Sequence, residues 1–475
     1  MAPAARITFV FRLLSQRIAL LKPCEELRIG LKNIDKNTTN EPINTEAAPE
    51  PALMVGVQLR SEVDPRFTLD DSLRELELLA DTAGLEVVGE VTQNLPTPNS
   101  RTYVGSGKLE EIKLLAEELD AKIILFDEEL SPRHQRELEK ELGDGKQVID
   151  RTALILDIFA QHANTREGML QVELAQYRYR LPRLTGAWTH LARQTGGASG
   201  RTGGVGGVGL RGPGETQLEV DRREIKKKIT KLEDELDKVR EHRNRHRQQR
   251  RKSNIPVVAL VGYTNAGKST LLNNLTKADI YVADQLFATL DPTTRQLELP
   301  SGETVLLTDT VGFIQKLPTD LVAAFRATLE EIVEADLLIH VVDASHKNAQ
   351  SQRLTVLETL QEIGAAEIPI MTVYNKIDLL SSDQIKELQK ISEPNSVFIS
   401  ALTGEGLSEL DDAIATGIYQ TFVHVKVKLP YREGSLVSMI HEKGHVRDIQ
   451  HLEDGILIDG MIPRQLLAFF EPYRK

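Results

Sequence analysis

The sequence predicts an α/β fold with several domains. Strand-like and helix-like patterns alternate in residues 53–182 and again in residues 255–421, which is typical of parallel sheets covered by helices. Between these stretches, apolar residues recur at the spacing of a helix that packs on another helix. We therefore predict a small N-terminal parallel α/β domain, a long helical hairpin, a doubly wound P-loop domain, and a small α+β domain at residues 422–475.

Length and composition support this division and exclude several protein classes. A chain of 475 residues is too long for one hydrophobic core. Its single cysteine excludes an internal disulfide framework and a cysteine-cluster metal site. No apolar run reaches the ~18 residues that span a bilayer, so we expect no stable membrane insertion. We expect a monomer, and the net charge of −12 does not by itself suggest a nucleic-acid binder.

Residues 1–52 are predicted to be a disordered leader or a targeting segment. The first 24 residues lack acidic side chains and carry four basic ones among apolar residues, a composition that organelle transit peptides share. Serine is sparse there, so we expect a cytoplasmic protein and keep organelle targeting by residues 1–24 as the alternative. Polar, proline-containing sequence from about residue 35 predicts a linker, and folding is expected to begin near Met54.

The N-terminal domain, residues 53–182, is predicted from short apolar strands separated by helical segments. The predicted strands are 54–59, 86–91, 122–127 and 147–150. The predicted helices are 69–83, 107–119 and 131–142, and residues 152–182 are predicted to be mostly helical.

Residues 183–254 are predicted to form a glycine-rich loop and a basic helix. The glycine density of Gly196–Gly214 argues against regular structure there. Six apolar residues follow at gaps of seven and then of four and three, which predicts a seam that packs on the preceding helix as an antiparallel hairpin. The seam residues are Leu218, Ile225, Ile229, Leu232, Leu236 and Val239.

The basic charge of the chain is concentrated in this second helix. The segment Arg222–Lys252 contains 14 Lys or Arg and 6 Asp or Glu. Such a run is either a solvated face or a surface for a phosphate-rich partner, because clustered cations gain affinity by releasing counterions. The glycine-rich loop is likewise either a flexible hinge or a loop that contacts RNA. In the binding interpretation, the RNA contacts are Arg201, Arg211, Arg243, Arg245 and Arg247.

The most specific motif is GYTNAGKS, which follows the buried strand pattern PVVALVG. A GxxxxGK[ST] loop between a strand and a helix surrounds phosphates with backbone N–H groups. Lys268 can place its charge on the β- and γ-phosphate oxygens, and the hydroxyl of Ser269 can bind Mg²⁺. The predicted phosphate-binding residues are Gly262, Tyr263, Thr264, Asn265, Ala266, Gly267, Lys268 and Ser269.

A second motif, DTVG, ends the apolar strand pattern TVLLTD. Asp309 can hold Mg²⁺ through a water molecule, and Gly312 can approach the γ-phosphate closely and sense its loss. The predicted nucleotide contacts of this motif are Asp309, Thr310, Val311 and Gly312. The next position, Phe313, is where many such switches carry a glutamine that orients the attacking water. The catalytic group is therefore unknown: either a partner completes the site, or Phe313 packs in a core and another residue orients the water.

The motifs NKID and SAL predict selectivity for guanine. Asp378 can accept two hydrogen bonds from guanine N1 and N2, which adenine cannot supply. Asn375 can support the loop, the stem of Lys376 can lie along the base, and the N–H of Ala401 can face the base oxygen. The predicted contacts are Asn375, Lys376, Ile377, Asp378, Ser400, Ala401 and Leu402. The ligands expected from these motifs are GTP and GDP, with Mg²⁺ as the cofactor.

The segment LFATLDPTTR lies between the loop and Asp309 and should contain the second Mg²⁺ ligand, a threonine. Thr289, Thr293 and Thr294 all compete, and the sequence pattern does not choose among them. The predicted nucleotide contacts of this segment are Phe287, Ala288, Thr289, Leu290 and Asp291.

These segments together resemble the HflX family of translational GTPases. The sequences GYTNAGKST, LFATLDPTTR, DTVGFI and NKID match its pattern, as do GVGLRGPGETQLEVDRR and YVGSGKLEEI outside the nucleotide domain. The resemblance covers about residues 54–421 and implies that Thr289 is the Mg²⁺-binding threonine. It also implies GTP hydrolysis coupled to the large (50S) ribosomal subunit, with the glycine-rich loop and hairpin near the peptidyl-transferase region. Members are implicated in splitting stalled or idle ribosomes under stress.

Two other functions stay open. One is a signalling or membrane-recruitment switch whose hairpin docks a non-ribosomal protein, and binding to anionic vesicles would favour it. The other is an ATP-driven RNA remodeller, which would need an adenine site.

Overall fold

The computed structural model describes residues 49–60, 66–143, 145–186, 213–252, 255–277, 286–287, 289–300, 302, 304–316, 326–420, 422–452, 454–463 and 466–474. Most of the predicted leader lies outside these residues, as do Arg201 and Arg211. No helix in the described ranges combines the length and apolar character needed to cross a membrane.

The N-terminal domain is a four-stranded parallel sheet with the strand order β2-β1-β3-β4. Its strands are β1 (Glu50–Leu59), β2 (Leu85–Leu95), β3 (Ile123–Phe126) and β4 (Gln147–Asp150). Its helices are α1 (Leu69–Thr82), α2 (Ser106–Glu118), α3 (Pro132–Leu142) and α4 (Arg151–His162). The strand β1 begins before Met54, so the boundary predicted after residue 52 falls inside it. The correction follows from packing, because Ala52 and Leu53 are fully buried in the sheet.

Local sequence fixes where several of these helices begin. Thr68 and Asp71 form a reciprocal capping box at the start of α1. Ser131 caps α3, and Pro132 occupies its first turn, where the missing N–H costs nothing.

The predicted antiparallel hairpin consists of α5 (Arg166–Arg180) and α6 (Pro213–Lys252). A 3₁₀ turn, Leu181–Gly186, follows α5. The apolar seam packs as expected from Ile225 onward, whereas the side chain of Leu218 lies outside the described residues. The seam consists of Leu170, Leu174 and Tyr177 of α5 with Leu232 and Leu236 of α6, flanked by Ile225, Ile229 and Val239. The helix α6 starts at Pro213, so the last two residues of the predicted loop are helical. Proline at a first helical position explains this start.

The third domain is a six-stranded sheet with the order β10-β9-β8-β5-β7-β6. Its strands are β5 (Val257–Gly262), β6 (Thr293–Glu298), β7 (Thr304–Asp309), β8 (Leu337–Asp343), β9 (Ile370–Asn375) and β10 (Val397–Phe398). Its helices are α7 (Lys268–Thr276), α8 (Arg326–Val333), α9 (Ala349–Glu362), α10 (Ser382–Ile391) and α11 (Leu407–Gln420). Only β6 runs antiparallel to its neighbour among the strands of this described sheet. The predicted doubly wound P-loop fold is confirmed.

The C-terminal domain is an antiparallel sheet of β11 (Phe422–Leu429), β12 (His445–Leu452) and β13 (Gly455–Pro463), with β13 in the centre. The helices α12 (Gly434–Lys443) and α13 (Leu467–Phe470) accompany it. Its own apolar cluster includes Val427, Ile458 and Phe470, all fully buried. The predicted small α+β appendage therefore has a core of its own.

One apolar cluster spans the N-terminal and P-loop domains. It contains Leu76 and Phe159 from the first domain and Val261, Tyr263 and Phe287 from the third. The two domains thus bury apolar surface against each other directly beside the P-loop.

Candidate nucleotide-binding site

The P-loop connects the carboxyl end of the buried strand β5 to the amino end of α7. In open parallel sheets this edge is where ligands bind. Gly267 has φ of 92°, and a Cβ there would lie 2.3 Å from Nδ2 of Asn375. The loop therefore needs glycine both for its backbone conformation and for its contact with the NKID segment.

Lys268 is buried beneath this loop. Its Nζ donates to the carbonyl oxygens of Tyr263, at 2.8 Å, and Gly262, at 3.2 Å. Burial lowers the pKa of Lys268 to about 8, and the nearby carboxylate of Asp309 opposes that shift. The ammonium group is therefore held in place next to the loop that would surround the phosphates.

Three oxygen-bearing side chains converge next to this lysine. The hydroxyl of Ser269 donates to Oδ2 of Asp309 at 2.6 Å and lies 2.8 Å from the hydroxyl of Thr289. Oδ1 of Asp309 is buried and has no hydrogen-bond partner in the described part of the chain. Burial raises the pKa of Asp309, and Lys268 opposes that rise. Two hydroxyls and an unsatisfied carboxylate oxygen are a donor set that fits Mg²⁺.

The geometry distinguishes the three competing threonines. The Thr289 hydroxyl contacts Ser269, whereas that of Thr294 pairs with Thr308 at 3.0 Å. Thr293 is the first residue of β6, opposite Asp309 in the strand pairing. This choice depends on the fold of the segment, so the residue pattern alone did not make it, although the family resemblance implied Thr289.

The guanine-selective end is organised by Asn375. This residue is buried, its Nδ2 donates to the carbonyl of Ala266 at 2.8 Å, and its Oδ1 accepts from the N–H of Ala401 at 2.8 Å. The Ala401 amide thus binds Asn375, which differs from the predicted bond to the base. Asn274 of α7, which the sequence analysis missed, donates to the Ala401 carbonyl. Asn375 therefore joins three motifs into one structure.

The remaining NKID residues lie at the rim of the site. Nζ of Lys376 binds Oδ2 of Asp343 at 2.7 Å, which fixes the lysine stem. Ile377 is buried, while Asp378 in the 3₁₀ turn Ile377–Leu379 is exposed. The selectivity argument from an unpaired buried carboxylate therefore applies only once a base covers Asp378.

Phe313 is buried in the apolar cluster shared by the two domains. Its backbone N–H donates to the carbonyl of Gly262 at 3.0 Å, and its carbonyl accepts from the N–H of Thr264 at 2.8 Å. Gly312 lies against the P-loop, where a Cβ would come within 2.8 Å of the Thr264 Cα. The side chain of Phe313 is therefore packed in a core, as the second of the two alternatives stated. Its ring does not orient water.

The N-terminal domain reaches this site through a largely buried cluster of polar and charged side chains that the sequence analysis did not find, with Lys316 at its exposed end. Tyr263 of the P-loop donates its hydroxyl to Glu75 of α1. Glu75 also pairs with Arg151, which binds Asp127 at 2.7 Å. Asp127 in turn binds Lys316, which lies four residues after Gly312, at 2.5 Å. We call Glu75, Asp127, Arg151, Tyr263 and Lys316 the interdomain charge cluster.

One member of this cluster could have been predicted from the sequence. Asp127 comes directly after the short apolar strand β3, at the edge of the sheet where polar side chains of parallel strands collect. Glu75, which binds Arg151 and Tyr263, gave no such signal, because an acidic residue in a helix is usually exposed.

Four family models match consecutive parts of the chain. They are "GTP-binding GTPase N-terminal" at residues 70–160, "GTP-binding GTPase Middle Region" at 162–250, "50S ribosome-binding GTPase" at 257–376 and "HflX C-terminal domain" at 386–461. The GTPase HflX of Caldanaerobacter subterraneus subsp. tengcongensis is 48% identical over 393 residues, which cover 83% of this chain and 88% of that relative. The chain belongs to the HflX family of GTPases.

A second relative from this family agrees. The GTPase HflX of Escherichia coli K12 is 44% identical over 410 residues, covering 86% of this chain and 92% of that protein. A crystal structure of a GTP-binding protein from Sulfolobus solfataricus in complex with GDP is 27% identical, with coverage of 78% of this chain and 99% of that chain and a TM-score of 0.39. The resemblance drawn from the sequence is confirmed, and this member of the HflX family is a GTP hydrolase.

The predicted nucleotide contacts in residues 287–291 of this HflX-family chain lie in different surroundings. Phe287 and Leu290 are buried, and Phe287 packs against Phe159 of α4. Ala288 lies outside the described residues. Asp291 binds the start of α5 instead of facing the P-loop.

The predicted RNA contacts are described only in part. The side chains of Arg245 and Arg247 lie outside the described residues, although their backbone is helical. Arg243 forms ion pairs with Glu167 at 2.7 Å and with Glu331 at 3.8 Å. Its charge is therefore already engaged within the chain, which favours Arg245 and Arg247 as the residues to test.

Proposed function

We propose that this chain is a Mg²⁺-dependent GTPase that associates with the large (50S) ribosomal subunit and splits or rescues stalled or idle ribosomes under stress. Ser269 and Thr289 would bind Mg²⁺ directly and Asp309 through water. The ion would supply positive charge to the β- and γ-phosphates. Lys268 would contribute the protein's own cation, and Asp378 would select guanine.

The observation that carries the ribosome proposal is the long basic helix of the hairpin. A helix of 40 residues such as α6 is about 60 Å long. Its part Arg222–Lys252 has 14 basic and 6 acidic residues in a chain that is acidic overall. A folded, elongated cationic element of this kind suits ribosomal RNA, because each neutralised phosphate releases counterions. The family description "50S ribosome-binding GTPase", matched at residues 257–376, supports the same partner.

The buried ring of Phe313 adds a reason for a partner. Many switches orient the attacking water with a side chain at this position, and here that side chain is part of the core. We therefore propose that hydrolysis is slow in the isolated protein and that the ribosome rearranges or completes the site.

The first prediction concerns this acceleration. Purified large ribosomal subunits are expected to raise the GTP turnover of the full-length protein about 100-fold, the scale on which an added acid–base or water-orienting group acts. The measurement is phosphate release at fixed GTP, with and without subunits. A flat response with nucleotide still bound would contradict the ribosome proposal, and binding to anionic vesicles would then favour a membrane-recruitment switch.

The second prediction locates the contact on α6. Changing Arg245 and Arg247 together to glutamate is expected to weaken subunit binding at least ~10-fold and to flatten its salt dependence, because phosphate contacts are lost. The matched control is Lys386→Glu with Lys390→Glu on the exposed helix α10, which changes the net charge equally. Cosedimentation at several salt concentrations measures both. Equal binding by the two variants would show that the basic helix is not the contact.

A further inference from the structure

The segment that carries Thr289 is attached to the N-terminal domain on its upstream side. The N–H of Leu286 donates to the hydroxyl of Thr82 in α1 at 3.3 Å. The ring of Phe287 meets that of Phe159 edge-on, with 4.6 Å between the ring centroids. These contacts place the start of the segment on the first domain instead of in solvent.

On its downstream side the segment is attached to the hairpin through Asp291. Oδ2 of Asp291 accepts from the N–H groups of Thr165, at 2.7 Å, and Asn164, at 2.9 Å, and Oδ1 accepts from the Thr165 hydroxyl. Thr165 is the N-cap of α5 and accepts from the N–H of Gly168 at 3.0 Å. A carboxylate at a helix N-terminus satisfies otherwise unpaired donors and interacts favourably with the helix dipole. The Asp291 carboxylate thus accepts three charge-assisted hydrogen bonds, which dock it on the start of α5.

The docked carboxylate of Asp291 leaves no space for a side chain at position 168 of α5. A Cβ added to Gly168 would lie 2.3 Å from Oδ1 of Asp291 and 3.2 Å from the hydroxyl of Thr165. Gly168 is helical and its φ is not positive, so glycine is not required there by the backbone. What requires glycine at this position is the approach of Asp291.

The same turn of α5 is held by the long helix of the hairpin. Glu167, next to Gly168, is buried and pairs with Arg243 of α6 at 2.7 Å. Arg243 also lies 3.8 Å from Glu331 of α8 in the P-loop domain. Both helices of the hairpin therefore meet the nucleotide domain where Asp291 is docked.

We propose that Asp291 is a positioning residue of the GTPase site, which holds Thr289 against Ser269 by docking on the first turn of α5 and thereby couples the hairpin to the nucleotide state. The proposal rests on the proposed Mg²⁺ role of Thr289, two residues away. GTP-bound Mg²⁺ draws on that threonine and GDP-bound Mg²⁺ does not. Because coupling between two sites is reciprocal, a ligand that moves α5 changes GTP affinity, and GTP changes the affinity of the hairpin for that ligand by the same factor.

The test uses the full-length chain without ribosomes, so a failure of the ribosome proposal cannot affect it. In Asp291→Ala and in Gly168→Ala, affinity for a non-hydrolysable GTP analogue is expected to fall about 10-fold while GDP affinity changes less than about twofold. The Mg²⁺ concentration for half-maximal hydrolysis is expected to rise by about the same factor. Asp291→Asn, which keeps one acceptor oxygen, is expected to show a smaller loss, and it serves if the alanine variant folds poorly.

Two controls separate docking from general damage. Gly107→Ala places the same methyl group in the helix α2, where no described atom beyond its chain neighbours and its own helix backbone lies within 4 Å. It should leave both affinities unchanged. In the double variant Asp291→Ala with Gly168→Ala, the losses should not add, because both changes break the same contact.

The proposal is overturned if Asp291→Ala leaves the ratio of GTP-analogue to GDP affinity unchanged, or if the two losses are additive. Thr289→Ala shows where the failure lies. A changed ratio in Thr289→Ala with an unchanged ratio in Asp291→Ala refutes the docking role alone. An unchanged ratio in both refutes the Mg²⁺ role of Thr289 and the docking role with it.

Discussion

Replacing Asp378 with asparagine is expected to weaken GTP binding about 100-fold or more and to admit xanthosine triphosphate. Guanine offers two donors, N1–H and the N2 amino group, and a carboxylate accepts both in charge-assisted bonds worth about 1.5–3 kcal/mol each. An asparagine side chain presents one acceptor and one donor, so one of these bonds is lost and a donor faces a donor. Xanthine carries an oxygen at C2, where guanine carries its amino group, and this oxygen can accept from the asparagine amide.

The measurement is a competition titration of GTP and xanthosine triphosphate against a fluorescent guanine nucleotide. Asp383→Asn, the same chemical change at a highly exposed side chain five residues later, is the matched control and should bind like the unchanged protein. GTP affinity that survives in Asp378→Asn would refute the assignment of NKID as the guanine reader.

Replacing Arg151 with methionine is expected to destabilise the protein by about 3–5 kcal/mol, the cost of leaving buried carboxylates without their cation. Arg151 is 2% exposed and pairs with Glu75 and Asp127 inside the interdomain charge cluster. Lys316 can still compensate Asp127, whereas Glu75 would keep only the hydroxyl of Tyr263.

The loss of stability in Arg151→Met should be larger at high pH than at low pH. Burial raises the pKa of Glu75, and Arg151 opposes that rise, so removing Arg151 raises the pKa further. An acid with a raised folded-state pKa costs stability above that pKa, and the cost is relieved as the pH falls through it. The deficit relative to the unchanged protein should therefore be smaller at pH 5 than at pH 8.

Thermal unfolding followed by far-UV circular dichroism measures this effect. The expected decrease in the melting temperature is about 10 °C at neutral pH. Arg136→Met on the exposed face of α3 is the matched control and should change stability by less than ~0.5 kcal/mol. Equal melting temperatures for the two variants would mean that the cluster does not support the folded state.

The parts of the fold and site that the sequence predicted well are those whose chemistry is local. The P-loop, DTVG and NKID are short runs, each fixed by what one phosphate, ion or base requires, and Asn375, Lys268 and Asp309 do meet in one site. The seam of α6 was predictable for a similar reason, because its spacing depends only on helix geometry.

The parts that could not be predicted depend on contacts between distant segments. Tyr263 occupies a variable position of the P-loop, and nothing near it in the sequence indicates its bond to Glu75, 188 residues away. Arg243 was assigned to RNA from local charge density, but the charge count does not show its partners Glu167 and Glu331. Whether it contacts RNA as well stays a prediction.

The apolar cluster shared by the first and third domains determines how the protein can be taken apart. Phe159 and Leu76 on one side and Phe287 and Val261 on the other belong to one continuous core. A truncation at residue 255 would divide that core and expose an apolar surface on each fragment, and such surfaces promote aggregation. A nucleotide domain taken from another GTPase would lack the matching apolar surface. We therefore expect the first and third domains of this chain to need each other for solubility.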